Sequence, residues 1–278
     1  MRRSLGLMMK VALSRKPPHV PAGKQVPKLS ARLDGVRLGR HAQADGLQRY
    51  RALTGWTRPE VPPVWPFVLA SGLHLELLAG DAFPVKLLGI VHVAQRLEVR
   101  APLQESDEGA LEIWLEGHRD TERGQEFDLH TVFRQGSATP WVSLTTFLAR
   151  AKSSGGAKKA PPAPRVASEG ARWVQLDAPS GLGRRYGDLV GDLNPIHLSD
   201  LSAKLFGFPK AIAHGMWSLA RCLSEQPPRE GPWALDCQFK LPVFMPSRPW
   251  LESTSQGFTL LDEGKQKPHL AATWSTLS

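Results

Sequence analysis

Tyr186-Gly-Asp-Leu-Val-Gly-Asp-Leu-Asn-Pro-Ile-His197, followed a little downstream by Ile212-Ala-His-Gly-Met216, is the stretch on which the fold turns. Residues 186–200 read as a polar, glycine-rich loop. The loop leads into a helix expected over residues 211–224, where Ile212, Met216, Leu219 and Leu223 recur at helical spacing. Residues 172–176 alternate as a strand ahead of the loop, and strands are expected over 233–243, 249–256 and 269–275 behind the helix. One long helix followed by a run of antiparallel strands is an α+β unit.

The same order occurs earlier in the chain. A helix is expected over residues 66–79, with Val68, Leu69, Leu73 and Leu77 on one face and Pro66 in its first turn, where a proline removes no hydrogen bond. Strands are expected over 85–99, 110–118, 127–135 and 141–148. Tyr50-Arg-Ala-Leu-Thr-Gly-Trp56 aligns with Tyr186-Gly-Asp-Leu-Val-Gly-Asp192 at an offset of 136, which also pairs Pro59 with Pro195. The mismatches carry information: Trp56 stands where Asp192 stands, and Val61 where His197 stands. If the halves are duplicates, one kept polar residues and the other lost them. Between them lies 149–169, ARAKSSGGAKKAPPAPRVASE, too poor in large apolar residues to hold a fold and so expected to be a flexible linker.

The 278 residues are 41% hydrophobic and 22% charged, which excludes a disordered chain. With only two cysteines, disulfides are not the stabilising strategy, and Cys222 and Cys237 read as small core residues. No stretch approaches the ~20 apolar residues of a membrane span, so no stable membrane insertion is expected. The net charge of +9 is local: residues 1–58 carry 13 Lys/Arg against Asp34 and Asp45, leaving −2 for the rest. This basic arm lacks aromatic interleaving and any zinc or helix-turn-helix signature, so nucleic acid is not an expected partner. Residues 5–13 hold Lys10 and no small-residue cleavage site, a poor secretory signal, and a cytoplasmic location is expected. The Arg-rich, acid-poor composition also suits an organelle transit peptide.

Asp192 and His197 flank a proline turn. A histidine titrating near neutrality and an ionised carboxylate form an acid–base unit that can hold and polarise one water. The same residues also suit a plain turn, with Asp192 and Asn194 capping it and His197 packed beside it. Gly215, at the opening of the helix, admits close approach to backbone N–H groups at the positive end of the helix dipole, or is simply a glycine near an N-cap. His214 reads as a core or turn histidine. The chain has no Cys/His metal cluster and no phosphate loop, so no cofactor and no metal are expected.

Taken together, Tyr186 to His197, Phe206-Gly-Phe-Pro209 and Ile212 to Met216 resemble the hydratase motif of the MaoC-like acyl dehydratases, the (R)-specific enoyl-CoA hydratases. The resemblance implies a double hot-dog fold, in which two curved antiparallel sheets each wrap a long central helix. With the basic arm taken as 1–40 and the linker as 150–169, it implies a non-catalytic hot-dog unit over 41–149 and a catalytic unit over 170–278. It also implies that Asp192 and His197 hold the water, that Asn194 supports their turn, and that the Gly215 N–H takes the thioester oxyanion. The implied substrate is an enoyl or (R)-3-hydroxyacyl thioester of CoA or acyl carrier protein, handled by a monomer or a homodimer. Phe67, Leu69, Leu73 and Leu77 are candidates to line an acyl tunnel, or are ordinary core. Hot-dog folds also host thioesterases, and a non-catalytic thioester-binding protein is a further alternative.

Overall fold

The computed structural model describes residues 14–21, 24, 26–87, 89–150 and 165–277. Residues 1–13 of the expected basic arm and 151–164 of the expected linker lie outside the described residues. The first half comprises β1 (Leu29–Arg37), α1 (Gly46–Thr54), α2 (Trp65–Ala79), β2 (Ile90–Val99), β3 (Glu108–Thr121), β4 (Gly124–Gln135) and β5 (Ala138–Arg150). The second comprises β6 (Arg172–Gln175), α3 (Leu182–Val190), a 3₁₀ turn (Pro195–His197), α4 (Asp200–Lys204), α5 (Gly215–Ser224), β7 (Trp233–Phe239), β8 (Trp250–Ser253), β9 (Gly257–Leu261) and β10 (Pro268–Thr276).

Strand order is β1-β3-β4-β5-β2-β7-β10-β9-β8-β6, with every neighbouring pair antiparallel. The second five strands repeat the first five in reverse, so the molecule has a pseudo-two-fold axis between β2 and β7. The two expected sheets are therefore joined into one, by a ladder running from Ala94↔Gln238 to Val99↔Trp233. The duplication extends to the helices. α1 and α3 have the same length at an offset of 136, and each ends on a left-handed glycine, Gly55 at φ 71° and Gly191 at φ 76°. Only glycine adopts that backbone without strain.

The core lies between the helices and one face of the sheet. Val68 and Ala70 of α2 share it with Leu97, Leu111, Phe133 and Trp141; Leu219, Cys222 and Leu223 of α5 share it with Leu235, Leu251, Leu260 and Leu270. Each fully buried large apolar side chain contributes ~2 kcal/mol. Among the described residues, no helix is long and apolar enough to cross a membrane.

Other expectations also differ from what is observed. Within the expected basic arm, Leu29–Arg37 is an edge strand where no strand is expected, and its Arg32 and Arg37 pair with Glu112 and Glu108 on β3. Charges that look like a solvated arm are cross-strand partners. The loop expected from Tyr186 begins only at Gly191, because Tyr186–Val190 completes α3. The helix expected from residue 211 begins at Gly215, because residues 211–213 are held extended: Ala213 N–H donates to Val243 O (2.9 Å) and Met245 N–H to Ala211 O (2.9 Å).

Candidate active site

The loop after α3 rests on a bare face of that helix. A Cβ added to Gly183 would land on the carbonyl oxygen of His197, and one added to Gly187 on the carbonyl oxygen of Asp192. Two glycines one turn apart thus let the main chain carrying Asp192 and His197 lie directly on α3. The loop is then tied internally. Asn194 N–H donates to Asp192 Oδ1 (3.1 Å), and the Asn194 side chain accepts from Ile196 N–H (3.4 Å) at the start of the 3₁₀ turn. Pro195 occupies the first position of that turn, where its missing N–H costs nothing.

His197 is 8% exposed, and its Nδ1 lies 2.8 Å from Ile212 O. A carbonyl only accepts, so Nδ1 carries the proton and Nε2 keeps the lone pair of a base. Burial lowers the His197 pKa below 6.5, opposed by the charge of Asp192 and the bond to Ile212. The ring stacks on His214, with centroids 3.7 Å apart and planes at 24°. His214, also buried, is lowered to about 3, first by burial and then by neighbouring His197. It is therefore a neutral wall at physiological pH. Its Nε2 lies 3.3 Å from Asp192 O and 3.6 Å from Asp192 Oδ2, while the Asp192 side chain is 44% exposed. Tyr186 closes the back of the site, its ring 5.1 Å from His214 and its hydroxyl pKa raised by burial. Asp192, His197 and His214 offer donor atoms within 4.8 Å of one another, types that a divalent cation such as Zn²⁺ accepts.

Gly215 is the first residue of α5, so its N–H is one of those a helix start leaves without an internal acceptor. A Cβ there would come within 3.2 Å of the Phe239 ring. Gly215, Asp192, Asn194 and His197 all line one cavity of about 1020 Å³. The cavity runs from this corner along α2 into the first half of the chain. The α2 face it uses holds Phe67, Ser71, His74 and Leu78; Leu69, Leu73 and Leu77, the other tunnel candidates, are not on its wall. Ser71 Oγ also donates to Val190 O (2.6 Å), which fixes α2 against the end of α3.

The equivalent place in the first half is filled. Trp56 and Val61 are packed into the core, and Arg51, where the second half has Gly187, donates to Pro59 O (2.8 Å). That half has no ionisable pair at the positions of Asp192 and His197.

With this geometry in view, 3-hydroxyacyl-thioester dehydratase X of Mycobacterium tuberculosis is 31% identical over 265 residues, 92% of each chain. The chain belongs to the MaoC-like dehydratase family. The family's "MaoC like domain" matches residues 183–269, the segment from α3 into β10 that holds the polar cluster. The crystal structure of HtdX from M. tuberculosis superposes with a TM-score of 0.74 at 28% identity, covering 90% of this chain and 100% of that one. A MaoC-like dehydratase from Phytophthora capsici shares the double hot-dog fold at a TM-score of 0.67 and 17% identity, covering 91% and 96%. Enoyl-CoA hydratase ChsH3 of M. tuberculosis is 29% identical over 57% of each chain.

In this MaoC-like dehydratase, several residues on the cavity carry no local signal in the sequence. His214 reads as a turn histidine because its partners lie across the fold. His74 on α2, buried, and His92 on β2, half-buried, both line the cavity and sit in runs of apolar residues. Only the spacing of His74 from Phe67 and Leu78, i, i+7 and i+11 on one helical face, points to it.

Proposed function

We propose that this chain is a hydro-lyase that interconverts trans-2-enoyl and (R)-3-hydroxyacyl thioesters, with Asp192 and His197 as its acid–base pair. In hydration, one water sits between the Asp192 carboxylate and Nε2 of His197. Nε2 takes a proton as the water oxygen bonds to C3 and the C2=C3 π pair moves toward the thioester oxygen. The Gly215 N–H donates to that oxygen, where charge develops. The enolate-like species collapses as the protonated pair gives a proton to C2, and the site returns to its starting state. Dehydration is the same path reversed. His214 and Asn194 position the pair and touch no reacting atom.

The observation that carries this reading is the single tautomer enforced on His197. With Nδ1–H held by Ile212 O, the basic nitrogen is the other one, and the ring is kept neutral by burial. The alkyl chain would extend along α2 into the half that lacks the pair, giving one site per chain and no need for a second copy to complete it. The thioester carrier is CoA or acyl carrier protein.

The test follows enoyl-thioester absorbance with trans-2-enoyl-CoA substrates from short to long chains, with free thiol monitored in the same cuvette. Asp192→Asn and His197→Ala are each expected to lower kcat by about 10³-fold without changing the fold. Thiol release without loss of the enoyl group other than by hydrolysis would make the chain a thioesterase instead.

A further inference from the structure

We propose that the far section of the cavity is built for acyl chains that carry a hydroxyl group remote from the thioester, recognised by His74. This rests on the thioester being held at Gly215, as in the reading above. A path of rings leads inward from that corner. Gly215 abuts Phe239; the Phe239 ring meets His92 edge-on with centroids 4.7 Å apart; His92 lies parallel to Phe67 at 6.4 Å; and Phe67 tilts against His74 at 4.7 Å. Counted from Phe239 beside Gly215, His74 is therefore three ring contacts inward, on a wall that also holds Leu75, Leu78 and Leu87.

The two histidines differ in how they are satisfied. His92 Nε2 donates to Ala94 O (3.0 Å), and its ring has a second partner in Gln95. His74 has one partner, Thr131 Oγ1 at 2.8 Å from Nε2. Its Nδ1 has no hydrogen-bond partner among the described residues, while the residue lines the cavity. A plain alkyl chain filling this section would strip water from that nitrogen and return nothing, which is unfavourable for a buried polar atom. A hydroxyl both donates and accepts, so it completes His74 in either tautomer that Thr131 permits. The histidine thus converts a generic apolar sleeve into one that rewards a polar substituent at one depth.

Binding tests this without requiring turnover. Titration calorimetry would compare saturated dodecanoyl-CoA with isomers hydroxylated at successive carbons beyond C3, on the full chain. We expect at least one isomer to bind about tenfold more tightly than the unsubstituted chain, the effect of one good hydrogen bond. His74→Leu should reverse that preference by loosening the hydroxylated isomer and tightening the plain chain. His74→Gln, which restores a donor and acceptor, should recover part of it. The proposal is overturned if no isomer outbinds the plain chain in the wild type, or if the preference survives in His74→Leu. The wild-type series alone decides the matter should the variants fail to fold. Hydration of unsubstituted trans-2-enoyl-CoA, assayed in parallel, reports separately on the hydro-lyase reading.

Discussion

The imidazole of His197 sits between opposing influences. Burial favours its neutral form, and the Asp192 charge and the Ile212 carbonyl favour its protonated form; burial is the largest, so the pKa lies below 6.5. In the proposed reaction the base is then available across the neutral range and is lost only under acid conditions. The acid limb of kcat/KM for hydration should accordingly fall below pH 6.5. Removing the carboxylate removes one raising influence, so Asp192→Asn should move the His197 titration further down. NMR titration of the ring protons in both proteins checks the sign, and an upward shift in the variant would refute this account of the pair. Asp192, Asn194 and His197 are legible in the sequence because a proline turn confines their chemistry to a few residues. His214 is not, because its meaning comes from a ring stacked on His197 and a carboxylate brought from the preceding loop.

At the level of elements, the decisive feature is the bare face of α3. Gly183 and Gly187 each cost a helix about 1 kcal/mol relative to alanine, and at Gly187 that cost contributes to residues from Tyr186 reading as a loop. Packing overrides the propensity, since the seated loop needs both hydrogen atoms. Gly187→Ala should therefore lower stability rather than raise it, by about 2 kcal/mol, and should push Asp192 out of register with His197. We expect kcat to fall at least tenfold with a lowered midpoint in urea. A variant that gains stability as a simple helix substitution and keeps full activity would show that the loop is not seated there. The duplicated frame is legible for a related reason: Tyr50 and Tyr186, and the glycines that end α1 and α3, are fixed by backbone geometry and burial. β1 is hidden by its charged edge, and β9 by having four of its five residues buried, which leaves no apolar–polar alternation to read.

Across the whole molecule, the two halves are braced reciprocally. Trp217 Nε1 of α5 donates to Leu53 O of α1 (2.8 Å), and Gln43 in the first half donates to Asp188 O of α3 (2.6 Å). The cavity between them is walled by histidines that the fold keeps neutral, and these couple stability to pH. His74 and His214 are lowered to about 3 and His92 to about 4, in each case chiefly by burial, from an unfolded value of 6.5. Above 6.5 neither state binds these protons, and the stabilisation is complete. Below 6.5 the unfolded chain takes them up and the folded chain does not, so stability falls as pH falls, down to the folded pKa of each group. Each such histidine contributes a slope of about 1.4 kcal/mol per pH unit. Carboxylates held low by their partners, such as Glu98, add to the loss further into acid, so the informative quantity is a difference between proteins. Urea midpoints of the wild type and His74→Leu, measured at pH 7, 6 and 5, should diverge in acid, with the variant losing less stability by about one proton's worth of slope. Parallel curves would mean that His74 accepts its proton in the folded state, and that the cavity around it is wetter than its apolar lining implies.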